Sequence, residues 1–416
     1  RQNPVTMTIA QAAFLAAVVS AYLTLFYKRG VCMWLLLAGG SIFAILPNTI
    51  AMITCTTKNT IFTILMMWVL YLLVILFDSQ GKAFRKLSFL FQMVISVAFL
   101  YLIRHNTFVI LPIKFFKNTG IRPVICLVLS VLVIQGITGP MYTAMGVTKF
   151  GSDPGPSRAT IRPLVAPLAA ALKFDVPLSE ETEEYLERIM PLEEFEKRYE
   201  PYNGDIMAFA DPPMDCSQIT LEEAMKHYLE FLCERPDIVI KSRLDGANIL
   251  WDVFSHPGVK HDRYALGIWG GEVLQPYMEE DPTVFIPERA GSEGSYSYTI
   301  GSGAAEILAG YLAVFDDNPL MDALLWRNGI YLVIALVACI FALRNKQYRL
   351  LALHAIPFAV FGTLMLVMDW NIYQYIWFYP VCTVLLLGVM LTEKTDYEEE
   401  KLDERQDEGT DYHSSL

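Results

Sequence analysis

"YLIRHNTFVILPIKFF", residues 101–116, places Arg104 between two apolar runs, and the second run is only about ten residues long. A charged side chain at the centre of a bilayer costs about 3 kcal/mol or more, so such residues are rare in membrane spans unless they serve a function. The predicted fold depends on whether residues 106–116 cross a membrane.

The composition around this stretch is that of a membrane protein with several spans. The 416 residues are 54% hydrophobic and have a mean hydropathy of +0.37, whereas soluble proteins are about 45–50% apolar. The apolar runs lie in two blocks, residues 7–145 and 302–391, and several approach the ~20 residues that span a bilayer. A polytopic α-helical fold is therefore predicted.

The apolar runs predict nine spans and one helix at the membrane surface. Residues 304–315 are too short to cross and are predicted as an interfacial amphipathic helix. The predicted spans are 8–27, 31–47, 60–77, 87–103, 106–116, 123–140, 329–343, 350–367 and 373–391.

The distribution of lysine and arginine predicts the orientation, because cytoplasmic loops collect these residues. If the chain starts outside, the inner loops together with Lys114 hold eleven Lys or Arg, and the short outer segments hold four. This partition requires residues 106–116 to cross the membrane. A helix of that length reaches about 16 Å, against a hydrocarbon core of about 30 Å. Broken helices are tolerated where they line a watery cavity, so Arg104 is predicted at the mouth of such a cavity.

Four regions follow from this topology. Residues 1–145 form a transmembrane block of about six spans, and 146–301 form a mainly helical extracytoplasmic domain. Residues 302–391 add the interfacial helix and three spans. Residues 392–416, with ten acidic and three basic side chains, are expected to be a disordered cytoplasmic tail.

The central domain shows clear helix signals. Residues 178–202 predict a helix capped by Ser179, a break at Pro191 and a second helix. Short strands are predicted near 283–300. One apolar stripe at helical spacing is interpreted as core or as a membrane-facing contact, and it consists of Ala224, Tyr228, Phe231 and Leu232.

Other residues of this domain carry weaker signals. Cys216 and Cys233 would form a disulfide or remain two free thiols, and no CxxC or Cys/His cluster indicates a metal site. Five further polar residues are interpreted as solvated loop groups, because their spacing does not indicate a metal site; they are Asp245, Asp252, His256, His261 and Asp262.

Four polar segments share the predicted outer boundary, namely 1–8, 46–60, 104–106 and 368–375. Their cations, Lys58 and Arg104, suit the phosphate of a lipid-linked donor, which arginine can bind with two parallel hydrogen bonds. The alternative is that both side chains snorkel to the headgroups without a ligand. Asp369 is the remaining weak candidate for a catalytic base, against the alternative of an aspartate in a solvated loop.

The order and spacing of several motifs resemble a known group of proteins. The motifs are "NPVTMT" (3–8), "LPNTIAMITCTTKNTIF" (46–62), "IRHNTFVIL" (103–111), "LSEETEEYLERIMPLEEFEKRYEPYNGD" (178–205), "EEAMKHYLEFLCERP" (222–236), "NPLMDALLWRNGIYLV" (318–333) and "YQYIWFYPVCTVLLL" (373–387). Over most of residues 1–391 the chain resembles the C-terminal two-thirds of large bacterial multi-pass proteins of unknown function. That family is similar to the GT-C membrane glycosyltransferases, such as protein O-mannosyltransferases. Because the chain begins at Arg1, it is expected to be an N-terminally truncated member.

The resemblance implies transfer of a sugar from a polyprenyl-phosphate donor at the outer face. An acid in the first outer loop would act as base or metal ligand, and cations would steady the lipid phosphate. It therefore implies a divalent metal only if that acid lies upstream of Arg1; no other cofactor is evident. The implied phosphate-binding residues are Lys58, Arg104 and Asn106, and the implied cavity residues are Asn3, Thr8, Asn48, Asn59, His105 and Tyr375.

This chain departs from the resembling family at several positions. Asn59 stands where that family usually has aspartate, and Gln374 stands where arginine is common. His105 and Thr107 replace asparagine and glycine after Arg104. These departures favour an alternative function, a non-catalytic membrane protein whose outer domain binds a cell-envelope polymer or a protein partner. A transporter is the third hypothesis, although the sequence shows no internal repeat.

Overall fold

A computed structural model describes residues 4–54, 57–104, 121–146, 155–210, 212–254, 311, 318–369 and 371–392. All regular elements in these ranges are helical, and they contain no strand. The short predicted span at 106–116, the predicted strands near 283–300 and the acidic tail beyond 392 lie outside the described residues. The domain limits stay predictions.

The first block consists of apolar helices. They are α1 (Pro4–Lys28), α2 (Met33–Ile45), α3 (Pro47–Thr54), α4 (Lys58–Asp78), α5 (Leu87–Ile103), α6 (Arg122–Gly136) and α7 (Tyr142–Ala144). A 3₁₀ turn at Lys82–Arg85 precedes α5, and a π-helical turn at Ile137–Met141 joins α6 to α7. Pro140 lies inside this π turn, and a proline cannot donate a backbone hydrogen bond to the preceding turn.

The central polar region folds into α8 (Arg158–Lys173), α9 (Glu180–Glu187), α10 (Leu192–Arg198), α11 (Gly204–Phe209), α12 (Leu221–Glu234), α13 (Pro236–Gly246) and α14 (Asn248–Trp251). The last block contains α15 (Pro319–Leu325), α16 (Gly329–Arg344), α17 (Tyr348–Val367), a 3₁₀ turn at Tyr373–Tyr375 and α18 (Phe378–Leu391).

Several helices meet the requirements of membrane spans. Four of the described helical segments are long and apolar enough to cross, namely Thr6–Lys28, Lys58–Asp78, Arg122–Ala144 and Tyr348–Val367. The bent pairs α2–α3 and α15–α16 raise this number to six if each pair is one span. The prediction of a helical multi-pass membrane protein is therefore confirmed at this level.

Helix α4 forms the centre of the apolar block. Most of its side chains are buried, and it packs against α1, α5, α17 and α18. Tyr22 of α1 donates a 2.9 Å hydrogen bond to the Met67 carbonyl of α4. Where α1, α4 and α18 end, Arg29 lies 2.7 Å from Asp78 and donates to the Val389 carbonyl at 3.2 Å. These three helices therefore run in the same direction.

Residues 46–60 are not simply the loop that the sequence suggested. Pro47–Thr54 form a short, mostly buried helix, which is bent 57° from α2. Pro47 is its first residue, where the absent N–H is tolerated and the fixed φ favours a helical start. The bend places polar side chains of α3 inside the protein.

The polar region has its own core, in which α8 packs against α10, α11, α12 and α13. The two-helix prediction for residues 178–202 is confirmed, since the Ser179 hydroxyl accepts a hydrogen bond from the Thr182 N–H and Pro191 precedes α10. The apolar stripe of α12 is also core. Ala224 and Phe231 are buried, and the other two members pack against the same cluster.

Candidate functional site

Arg104 follows the last residue of α5, and its side chain is buried inside the protein. Its Nη2 donates to Asn59 Oδ1 at 3.0 Å, and its Nη1 donates to the Tyr375 carbonyl at 3.3 Å. The guanidinium carbon lies 4.8 Å from the centre of the Phe62 ring and 5.4 Å from that of Tyr375. The Arg104 side chain is 8% exposed, so it does not snorkel to the surface.

Asn59 connects Arg104 to the segment before α18. It lies in the first turn of α4, is 3% exposed, and its Nδ2 donates to Gln374 Oε1 at 3.1 Å. The neighbouring Lys58 is exposed. The two consecutive residues therefore differ. Asn59 is buried and accepts a hydrogen bond from Arg104, whereas Lys58 is exposed.

Asn48 brings α3 into the same region. Its Nδ2 donates to the Tyr373 hydroxyl at 2.9 Å and to the Leu325 carbonyl at 3.0 Å. The Tyr373 ring packs edge-on against Trp326, with 5.0 Å between ring centres. The polar segments around residues 48–59, Arg104 and 373–375 are thus in contact with one another.

Of the remaining predicted site residues, the structure describes Thr8. Thr8 is half-buried in α1, and the nearby Gln11 donates to the Ile53 carbonyl at 3.2 Å. Asn3, His105 and Asn106 lie outside the described residues.

The charge of Arg104 has neutral partners in the described part of the chain. No Asp or Glu of the described ranges lies within 4.0 Å of its guanidinium nitrogens. A buried cation is costly unless it is paired with an anion and hydrogen-bonded. The amide oxygen, the carbonyl and two ring faces offset part of this cost, but they supply no negative charge.

Asp369 was expected to be a solvated loop residue or, as a weaker candidate, a base; the solvated interpretation is wrong. Its side chain is 5% exposed, and Arg162 of α8 binds it through Nε at 2.7 Å from Oδ2 and through Nη2 at 2.6 Å from Oδ1. The same arginine also contacts Asp205 of α11. Asp369 therefore ties the polar region to the end of α17, because both of its oxygens are engaged by one guanidinium.

Arg243 of α13 supports the same connection. It donates to the carbonyls of Pro163 and Leu366, the latter at 3.4 Å. Burial lowers the pKa of Arg243, while the charge of Asp369 acts in the opposite direction. A narrow cleft beside Asp369 has room for about one water molecule, and it is lined by Tyr199, Glu200, Gly204 and Ser242 among others.

A second polar contact links α14 to the start of α16. Arg327 is buried and donates to Asn248 Oδ1, and its Nε donates to the Asp252 carbonyl at 3.1 Å. The Ile249 N–H donates to Asn371 Oδ1 at 3.0 Å. Asp245 lies in helix α13, where it is paired with Lys241, and the half-buried Asp252 accepts a hydrogen bond from Asn248 at 3.1 Å, so neither is a simple solvated loop residue. His256, His261 and Asp262 lie outside the described residues.

The cysteines and carboxylates of the described ranges do not form a metal site. No group of three or more His, Cys, Asp or Glu in those ranges is placed to hold a metal ion. Cys216 and Cys233 are both free thiols, the first buried and the second exposed. Burial raises the pKa of the Cys216 thiol to about 11.

Residues 4–257 match a family model described as a family of unknown function, DUF6020. No curated protein and no solved structure matches the chain.

Proposed function

The chain belongs to this family of unknown function (DUF6020), and we propose that it is a membrane glycosyltransferase, or the larger part of one, that uses a polyprenyl-phosphate sugar donor. The observation that supports this proposal is the buried Arg104, whose partners in the described residues are neutral. The exposed Lys58 lies next to Asn59, the residue that accepts from Arg104.

A phosphate is a ligand that suits this arrangement. It would supply the negative charge that Asn59 and the Tyr375 carbonyl do not, and arginine binds phosphate through two parallel N–H donors. The ring faces of Phe62 and Tyr375 restrict the guanidinium plane. A lipid-linked phosphate would bring such an anion to the predicted outer end of the apolar helices.

Sugar transfer itself rests on the resemblance to GT-C enzymes. An acceptor hydroxyl would attack the anomeric carbon while the bond from that carbon to the phosphate oxygen breaks. The leaving phosphate would keep the bonding electrons, and Arg104 and Lys58 would stabilise its charge. The acceptor proton would pass to a base. Asp369 is a poor candidate for this base, because Arg162 engages both of its oxygens.

The proposal is tested with the full chain in lipid nanodiscs. Binding of polyprenyl phosphate and transfer of labelled sugar from the corresponding donor are measured for Arg104→Gln and Lys58→Gln. Arg85→Gln and Lys82→Gln are the matched controls, because these exposed cations lie in the turn before α5. We expect the first pair to weaken binding at least about tenfold, equivalent to about 1.4 kcal/mol, and the controls to leave it unchanged. Equal binding by all four variants would refute the proposal.

The second candidate is a non-catalytic membrane protein whose outer domain binds a cell-envelope polymer or a protein partner. It is favoured by the ion pair that occupies Asp369 and by the polar contacts that hold the polar region on the apolar helices. The same assay separates the two functions. Phosphate binding that depends on Arg104, without any sugar transfer, would favour the non-catalytic candidate.

A further inference from the structure

We propose that the polar region has its own contact with the lipid surface, formed by an apolar patch on α13 and the residues after it. We call it the interfacial patch, and it consists of Ile240, Leu244, Trp251 and Phe254. Their exposed fractions are 54%, 37%, 36% and 57%. This inference does not depend on the function proposed for Arg104.

Helix α13 lies where the lipid-facing surface of α17 ends. Arg243 donates to the Leu366 carbonyl in the last turn of α17. Gly246 packs so closely that a Cβ atom there would lie 2.8 Å from the Asp369 Cα. Leu366 and Val367 are themselves 72% and 51% exposed, so the apolar surface of α17 continues up to the contact with α13.

The end of the patch lies at the start of α16. Arg327 holds the Asp252 carbonyl, and a Cβ atom at Gly329 would lie 2.6 Å from the Asp252 backbone. One turn later α16 exposes Val333, at 55%. Phe254 follows Asp252 by two residues, so it too lies next to an exposed apolar helix surface.

The contact of α13 with α17 and the contact of Asp252 with α16 are at the same end of the helix bundle. Residues 345–347 join α16 to α17, and the two helices pack against each other. The start of α16 is therefore near the end of α17. The patch consequently borders the ends of two apolar helices whose exposed side chains suit lipid.

Two apolar side chains of α13, Ile240 and Leu244, lie beside the face that is buried against the protein. At about 100° per residue, Ile240 and Leu244 lie about 60° and 100° around the helix from Arg243. Lys241 lies about 160° away, where it forms a 2.5 Å ion pair with Asp245. The two apolar side chains therefore lie between the buried face of α13, which contains Arg243, and the exposed ion pair of Lys241 with Asp245.

Trp251 completes this arrangement. Its Nε1 donates to the Leu244 carbonyl at 2.9 Å, which fixes the indole beside the apolar flank of α13. Tryptophan is enriched at membrane–water interfaces, because its ring is apolar and its N–H is polar. A lipid surface is therefore the occupant that continues the apolar surfaces of α16 and α17 without a break.

The test uses spin labels on the full chain in liposomes, with the native cysteines replaced by serine. Single labels are placed by Ile240→Cys, Leu244→Cys, Lys241→Cys and, as a lipid-exposed reference, Val333→Cys. Collision rates with oxygen, which partitions into lipid, and with a water-soluble nickel chelate are then compared. We expect positions 240 and 244 to resemble 333, with oxygen dominating, and position 241 to favour the chelate.

Two outcomes would overturn the proposal. Positions 240 and 244 that are as accessible to the chelate as 241 would show a solvated surface. Low collision with both reagents at 240 and 244 would show that protein covers the patch, either residues 255–310 of this chain or a partner.

A second measurement keeps the native cysteines. Brominated lipids quench tryptophans at known depth, and the difference between the native protein and Trp251→Phe isolates Trp251. We expect lipids brominated near the headgroup to quench this difference signal more than lipids brominated near the bilayer centre. A difference signal that neither lipid quenches would refute the lipid contact.

Discussion

At the scale of single residues, the contact between Asn59 and Gln374 gives these two positions a joint interpretation. The resemblance described above implies an aspartate at position 59 and an arginine at position 374. In the structure the two side chains are hydrogen-bonded to each other at 3.1 Å, and Asn59 also accepts from Arg104. Replacing an aspartate and an arginine by two amides leaves the summed charge around Arg104 the same. If the implied residues are the family's own, the two differences would compensate one another in charge.

This compensation predicts the effect of restoring one charge or both. Asn59→Asp alone would place a carboxylate on Arg104 and neutralise it, so we expect polyprenyl-phosphate affinity to fall at least about tenfold, equivalent to about 1.4 kcal/mol. The double variant with Gln374→Arg restores the charge sum and should recover most of that affinity. Binding in nanodiscs measures both. If the double variant bound no better than Asn59→Asp, the two sites would not be compensating.

His227 gives a prediction about pH. It is buried in the polar region, where its ring stacks on Tyr185 at 4.5 Å and its Nδ1 lies 3.2 Å from the Thr182 hydroxyl. Burial is the largest effect on the pKa of His227 and lowers it. The charge of Lys226 also lowers this pKa, whereas the carboxylates of Glu181, Glu230 and Glu223 raise it by smaller amounts. The unfolded state, with a histidine pKa of about 6.5, therefore binds more protons than the folded state. Stability should then fall as pH drops below that value.

The expected result is a melting temperature that decreases between pH 7 and pH 5 in the native protein and decreases less in His227→Gln. Thermal unfolding of the purified full chain, followed by fluorescence, measures this difference. The window lies above the range in which Glu181 and Glu223 protonate, because their ion pairs lower the pKa of both groups. Parallel pH profiles for the two proteins would show that another group controls acid stability.

At the scale of elements, local signals were sufficient for some helices and not for others. The cap at Ser179 and the break at Pro191 act within a few residues, so α9 and α10 were predicted from the sequence. Helix α3 was not, because its asparagine and threonine residues have low helix propensity and its position depends on contacts with Tyr373 and Leu325. The contact of Arg104 with Asn59 joins residues 45 positions apart, and hydrophobic patterns carry no information on such pairs.

The junction between the polar region and the apolar helices depends on glycines. A Cβ atom at Gly246 would lie 2.8 Å from a backbone atom of Asp369, which cannot move aside as a flexible side chain could. Gly246→Ala should therefore destabilise the junction by about 1–3 kcal/mol. Gly39→Ala in α2 is the control, because nothing lies within 4 Å of its added Cβ and alanine favours a helix.

Limited proteolysis of the two variants under native conditions measures this effect. We expect faster cleavage in the polar region of Gly246→Ala and unchanged or slower cleavage of Gly39→Ala. Equal rates for Gly246→Ala and the native protein would mean that the junction tolerates a wider separation than the close packing indicates.

At the scale of the whole molecule, the two ends of the helix bundle carry different groups. One end holds Arg29 and Asp78 and the ends of α1, α4 and α18. The opposite end holds Arg104, the start of α4 and the contacts with the polar region. The charge distribution of the loops predicts which end faces the cytoplasm, but it rests on a crossing at 106–116, outside the described residues. The orientation therefore needs its own measurement.

Two native cysteines provide that measurement. Cys233 is exposed on α12 of the polar region, and Cys32 is exposed between α1 and α2, next to the Arg29 end. If the polar region is extracytoplasmic, a membrane-impermeant maleimide should label Cys233 in intact cells and Cys32 only after permeabilisation. Cys233→Ser and Cys32→Ser identify the two labelled sites, and the buried Cys216 should react slowly under either condition. If Cys32 were labelled from outside and Cys233 only after permeabilisation, the predicted orientation would be reversed. Arg104 would then lie at the cytoplasmic face, and a donor phosphate would have to reach it from inside the cell.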